Sequence, residues 1–108
     1  MMDIVKKYSK ELKKLCQKHH VAEMHAFGSV VDERFSPESD IDFLVKFSEV
    51  DPLAYFDNYM DLKEGLEDVF SKKVDLLEIQ TLKNPILKES VHQSKVLVYG
   101  PENTEVAL

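Results

Sequence analysis

The chain has one cysteine, three glycines, fewer basic than acidic residues and no long apolar run. Each shortage closes a route. A lone Cys16 cannot form an internal disulfide, and no Cys/His spacing resembles a zinc site. Lys and Arg number 14 against 20 Asp and Glu, for a formal net charge of -6. That balance argues against direct nucleic-acid binding, which rests on cations neutralising phosphates. It leaves room for a site where a divalent cation brings the positive charge. No stretch is long enough to cross a bilayer, and MMDIVKKYSKELKK has the pattern of an amphipathic helix rather than a signal peptide. The expectation is a cytoplasmic protein in a reducing compartment. No repeat, linker or low-complexity run divides the 108 residues. One domain is therefore expected over 1–108, with its core about 2–100 and a frayed tail at 101–108.

What is present reads in order. Apolar residues at Ile4, Val5, Tyr8, Leu12, Leu15 and Cys16 follow helical spacing from Met2 to about His19, which puts Cys16 in the core. Val21 to Phe27 predicts a strand that ends at Gly28-Ser29, followed by a short helical turn and a loop to Ser39. Asp40 to Phe47 alternates, with Ile41, Phe43, Val45 and Phe47 on one side and Asp40, Asp42, Leu44 and Lys46 on the other. Asp51-Pro52 predicts the start of a helix to about Phe70, interrupted by Gly65. Its apolar side takes in Leu53, Phe56, Tyr59, Met60, Leu62, Leu66, Val69 and Phe70, with Tyr55 also expected in the core. Asp57, Asp61, Glu64 and Asp68 form an acidic stripe that reads as a solvated face or a surface for a basic partner. Lys73 to Ile79 predicts a third strand, Asn84-Pro85 a helix to about Gln93, and Lys95 to Tyr99 a last strand before Gly100-Pro101. The order predicts an α/β (α+β) domain: a small mixed sheet of about four strands with helices packed on it.

The chemistry lies in GSVVDERFSPESDID, residues 28 to 42. Gly28 allows close backbone approach to a phosphate, and Ser29 with the following amides can donate to its oxygens. Asp40 and Asp42, two apart in a strand, would face the same side, where like charges disfavour each other unless a cation sits between them. Phosphate at one end and a divalent metal at the other equip a chain to transfer a nucleotide from a nucleoside triphosphate. Asp75 sits in KKVDLLEI, a segment otherwise fit for a sheet interior. If that strand pairs beside the Asp40–Asp42 strand, a cluster of three carboxylates results. His25 could edge the pocket, and Lys72 and Lys73 could approach phosphate; His19 and His20 read as residues of a helix end.

Gly28-Ser29, ten residues, then Asp40-Ile41-Asp42 resembles the G-S-x10-D-x-D signature of the DNA polymerase beta-like nucleotidyltransferases. Size and element order resemble the minimal nucleotidyltransferase (MNT) branch. By that resemblance Gly28 and Ser29 would bind the triphosphate, and Asp40, Asp42 and Asp75 would hold Mg²⁺ (or Mn²⁺), with Asp75 also serving the nucleophile. ATP or another nucleoside triphosphate would be the substrate. Larger relatives carry a helical acceptor domain, so the acceptor here is expected on a partner, typically a HEPN-domain toxin. That implies a hetero-oligomer in which this chain is the antitoxin. Where many active members read G-S-x-A-R-G, this sequence has Asp32 and Glu33 in place of Arg and Gly, with Arg34 next. A catalytically weak or inactive antitoxin that neutralises its partner by binding is the alternative.

Overall fold

The computed structural model describes residues 2–32 and 36–100. The expectations for Glu33, Arg34 and the tail at 101–108 fall outside them. Four strands, β1 (Val21–Phe27), β2 (Ile41–Phe47), β3 (Val74–Glu78) and β4 (Val96–Tyr99), form one sheet in the order β3-β2-β1-β4. β1 is antiparallel to both β2 and β4, and β2 runs parallel to β3. The parallel pair needs a long crossover, supplied by helix α3 (Pro52–Phe70).

Each element starts where its local chemistry dictates. The Asp51 carboxylate accepts the Leu53 amide at 2.9 Å, with Pro52 in the first turn of α3. Asn84 caps α4 (Pro85–Ser94) in the same manner, accepting the amides of Ile86 and Leu87. The expected single helix from Met2 to His19 is instead two, α1 (Asp3–Lys7) and α2 (Ser9–Lys18). Tyr8 leaves helical dihedrals between them (φ -106°, ψ 25°) and sets its ring edge-on against Phe70, 5.6 Å between centroids. Packing on α3 outweighs continuity of one helix here.

The core lies between the sheet and α1, α2 and α3. Val5, Leu12 and Cys16 meet Met24, Ala26, Ile41, Phe43, Val45, Leu62, Leu66, Phe70, Val74 and Leu76 there. Burial pushes the Cys16 thiol up to about 12, so it is a core residue as expected. Gly65 has a packing reason: a Cβ there would come within 2.7 Å of the Leu15 side chain, so glycine lets α2 and α3 close together. A smaller cluster, Phe27, Leu44, Leu82 and Val91, forms under α4 on the opposite face.

Two expected core residues of α3 are on the surface, and a third reaches only its margin. Leu53 is 94% and Phe56 69% exposed, while Tyr55 is half-buried. At 19 residues α3 spans about 28 Å against about 17 Å for the five of β3, so its first turn extends past that edge strand. Tyr55 still sets its ring edge-on against Phe47 at the end of β2, 5.5 Å between centroids. Asp57, Asp61, Glu64 and Asp68 are exposed, as a solvated stripe requires. Among the described residues no helix is long and apolar enough to cross a membrane.

Candidate functional site

β1 ends at Phe27, and Gly28 turns the chain at φ +74°, a left-handed value that favours glycine. Gly28–Val31 forms a 3-10 turn, closed where the Asp32 amide donates to the Ser29 carbonyl at 3.2 Å. Phe27 pairs with Asp42 across the β1–β2 ladder, so the turn opens beside Asp42. A Cβ on Gly28 would collide with Asp42 Oδ2. Glycine is therefore required twice, for its dihedral and to leave room for the carboxylate.

Asp42 sits in β2 between Ile41 and Phe43, both 0% exposed. Those neighbours lock the strand into the core and turn Asp42 to the other face, the one crossed by α4. Its Cα partner in β3 is Asp75. Neighbouring strands lie about 4.8 Å apart, so two like charges share one patch of the sheet. The ladder starts one residue later than expected: Asp40 is exposed and precedes the paired part of β2, which opens where the Ile41 amide donates to the Lys73 carbonyl at 3.1 Å.

These donors suit a small hard cation. Carboxylate oxygens are ligands for Mg²⁺ or Mn²⁺, and the Gly28 turn leaves the Asp42 carboxylate its space. Among the described residues, no three His, Cys, Asp or Glu side chains are gathered closely enough to enclose an ion by themselves. The fit rests on the Asp42–Asp75 pair, with Asp40 beside it in sequence.

The edge strand that carries Asp75 is held by α3. Glu67 Oε2 accepts the Val74 amide at 3.0 Å, and the Tyr59 hydroxyl donates to the Leu76 carbonyl. These bonds occupy outward-facing backbone groups on either side of Asp75, which protects the sheet edge. Burial pushes the Tyr59 phenol up, and the nearby Asp75 charge adds to the rise. Beyond Leu76, a groove of about 340 Å³ is lined by Tyr55, Phe56, Tyr59, Leu76, Leu77 and Glu78 among others.

His25 lies two residues back in β1, opposite Leu44. Its pKa is lowered, first by burial and then by Lys95. Lys72, expected as a possible phosphate contact, instead donates to the carbonyls of Ser36, Pro37 and Ser39. His19 is buried, its Nδ1 bonded to the Leu15 carbonyl at 2.9 Å. Sequence reasoning missed the Lys72 contacts, the Tyr59 bond and the burial of Leu44. Only the last left a signal, since Leu44 is the one apolar residue on the acidic side of β2.

The polymerase beta nucleotidyltransferase family model matches residues 10–103. A candidate protein adenylyltransferase of Methanocaldococcus jannaschii is 34% identical over 96 residues, 89% of this chain and 92% of that protein. The protein adenylyltransferase MntA of Thermococcus cleftensis is 37% identical over 76 residues, 70% of this chain and 74% of that one. Among solved structures, a candidate minimal nucleotidyltransferase superposes with TM-score 0.72 at 27% identity, covering 88% of this chain and 93% of the other. An MNT antitoxin in complex with tri-AMPylated Shewanella oneidensis HEPN toxin gives TM-score 0.63 at 17% identity, covering 95% and 78%. At that identity the likeness is one of fold.

Proposed function

The chain belongs to the polymerase beta nucleotidyltransferase family, and on that premise we propose that it transfers AMP from ATP to a hydroxyl of a partner protein, a HEPN toxin, and so acts as its antitoxin. The observation that carries the reading is the Asp42–Asp75 pair beside the glycine turn at the end of β1. The names of the relatives support the adenylyl group and the protein acceptor. The AMPylated HEPN complex of a similar fold supports the partner, and with it a hetero-oligomer.

Asp40, Asp42 and Asp75 would hold Mg²⁺, with Mn²⁺ as a substitute. When bound, the ion offsets charge at the α-phosphate and on the departing pyrophosphate. Asp75, exposed on the edge strand, accepts the proton of the acceptor hydroxyl. The hydroxyl oxygen then bonds to the α-phosphorus while the bond from that phosphorus to the bridging oxygen breaks. Pyrophosphate leaves toward Gly28 and Ser29, where the turn's backbone amides and the serine hydroxyl receive it. Asp42, fixed by the core residues on either side of it, keeps its carboxylate in place through the reaction.

The test is incorporation of α-labelled ATP into the partner. Wild type should label it in the presence of Mg²⁺, and Asp42→Asn should lower the rate by at least about 100-fold, the scale at which weakened metal sites lose activity. Equal labelling by both proteins would overturn the reading. A second reading, neutralisation by binding alone, is favoured by Asp32, a half-buried acid at the position where many members of the resembled family carry Arg. It requires that Asp40→Ala/Asp42→Ala still silences the toxin with no label transferred.

A further inference from the structure

The backbone on both sides of Asp40 is held by one short segment of chain. The Ser39 carbonyl belongs to the peptide bond entering Asp40, and Lys72 Nζ donates to it at 3.2 Å. The Ile41 amide belongs to the peptide bond leaving Asp40, and it donates to the Lys73 carbonyl at 3.1 Å. Lys72 Nζ also reaches the Pro37 carbonyl at 2.6 Å and the Ser36 carbonyl at 3.4 Å. Among the described residues, three carbonyl oxygens thus converge on one ammonium. The turn they come from is tied within itself, by the Ser36 amide donating to Ser39 Oγ and the Ser39 amide to the Ser36 carbonyl.

Lys72 stands just past the end of α3, after Ser71 in a left-handed conformation (φ 53°), and three residues before Asp75. It therefore connects the loop that delivers Asp40 to the start of the strand that carries Asp75. An ammonium has three donors and no acceptor, so it can serve several carbonyls at once. Asp40 itself lies outside the β2–β3 ladder, so these bonds supply what the ladder does not.

We propose that Lys72 is a positioning residue, which fixes the backbone at Asp40 so that its carboxylate can turn to join the Asp42–Asp75 pair when a divalent cation binds there. The proposal rests on the nucleotidyltransferase reading of those carboxylates. It assigns Lys72 to the protein's own loop rather than to phosphate.

The test is a Mn²⁺ titration, with a non-hydrolysable ATP analogue present, of wild type, Lys72→Ala, Lys72→Arg, Asp40→Ala and the Lys72→Ala/Asp40→Ala double variant. Lys72→Ala should weaken Mn²⁺ affinity about 10- to 100-fold, as losses of supporting contacts around metal ligands do. Lys72→Arg, which still offers several donors to the carbonyls, should retain most of the affinity. In the Asp40→Ala background, Lys72→Ala should cost nothing more, because its effect runs through Asp40. A purely structural role predicts the same loss in both backgrounds, and that result would overturn the proposal. Amide exchange without metal gives a second arm: Lys72→Ala should speed exchange at Ser39 and Ile41, whose amides are bonded in the clamped segment, and unchanged exchange rejects the clamp. Wild type that binds no Mn²⁺ would sink the nucleotidyltransferase reading and this proposal together, whereas unaltered affinity in Lys72→Ala sinks the proposal alone.

Discussion

On the face of the sheet covered by α1, α2 and α3, Met24, Ala26, Ile41, Phe43 and Val45 are all 0% exposed. On the face crossed by α4 the buried cluster shrinks to Phe27, Leu44, Leu82 and Val91, and Asp42 and Asp75 stand on the same side. Three helices seal one surface and one helix half-covers the other. The difference separates two features: the sealed face supplies the burial that holds the strands, and the open face leaves the Asp42–Asp75 pair on a surface that the smaller cluster does not bury. Consecutive residues of β2 serve both, because a strand sends alternate side chains to opposite faces.

The sharpest way to break this comparison is to truncate neighbours in β2. Phe43→Ala, on the sealed face against Phe70 at 5.8 Å, should cost about 3–5 kcal/mol by urea denaturation. Leu44→Ala, one residue on and under α4, should cost less, about 2 kcal/mol, since the smaller cluster can relax around the gap. Equal costs would mean that the two faces carry the fold equally.

Gly28→Ala tests whether the turn serves the open face. It should cost about 1–2 kcal/mol for the left-handed dihedral, and it should displace the Asp42 carboxylate. Nucleotidyl transfer, assayed with excess folded protein, should then fall further than the stability loss explains. Tyr59→Phe removes the bond to the Leu76 carbonyl at the sheet edge and should cost about 1 kcal/mol in the same denaturation assay.

The smallest effect concerns pH. His25 titrates below its ordinary value of 6.5 in the folded chain, chiefly because burial disfavours its charged form. Between the folded value and 6.5 the unfolded chain binds more protons, so stability rises with pH across that window. The contribution of His25 is present above 6.5 and is lost as pH falls through the folded value. His25→Gln should flatten the stability profile on the acid side of 6.5. A profile identical to wild type would show that His25 does not contribute.

Much of this was legible because it is local. Alternation in β2 named Ile41, Phe43 and Val45 as inward, and Asp51-Pro52 and Asn84-Pro85 marked two helix starts that the structure places at those residues. The exposure of Leu53 and Phe56 was not legible, since periodicity shows which side of a helix is apolar but not which of those residues a neighbour covers. Phe56 therefore read as core and is 69% exposed. The break at Tyr8 was hidden for a similar reason, as its cause is a ring on a helix more than sixty residues away.

By itself the sequence determined most of the elements and the members of the candidate site: a glycine turn after a strand, then acids at Asp40, Asp42 and Asp75. Spacing and alternation are written residue by residue, and backbone geometry converts them directly into faces and turns. Only the tertiary structure decided that β3 lies parallel to β2 with Asp75 in register with Asp42, and that Lys72 holds the loop leading into Asp40. Those contacts join residues more than thirty positions apart. They depend on how α3 packs and where it releases the chain, which no local pattern encodes.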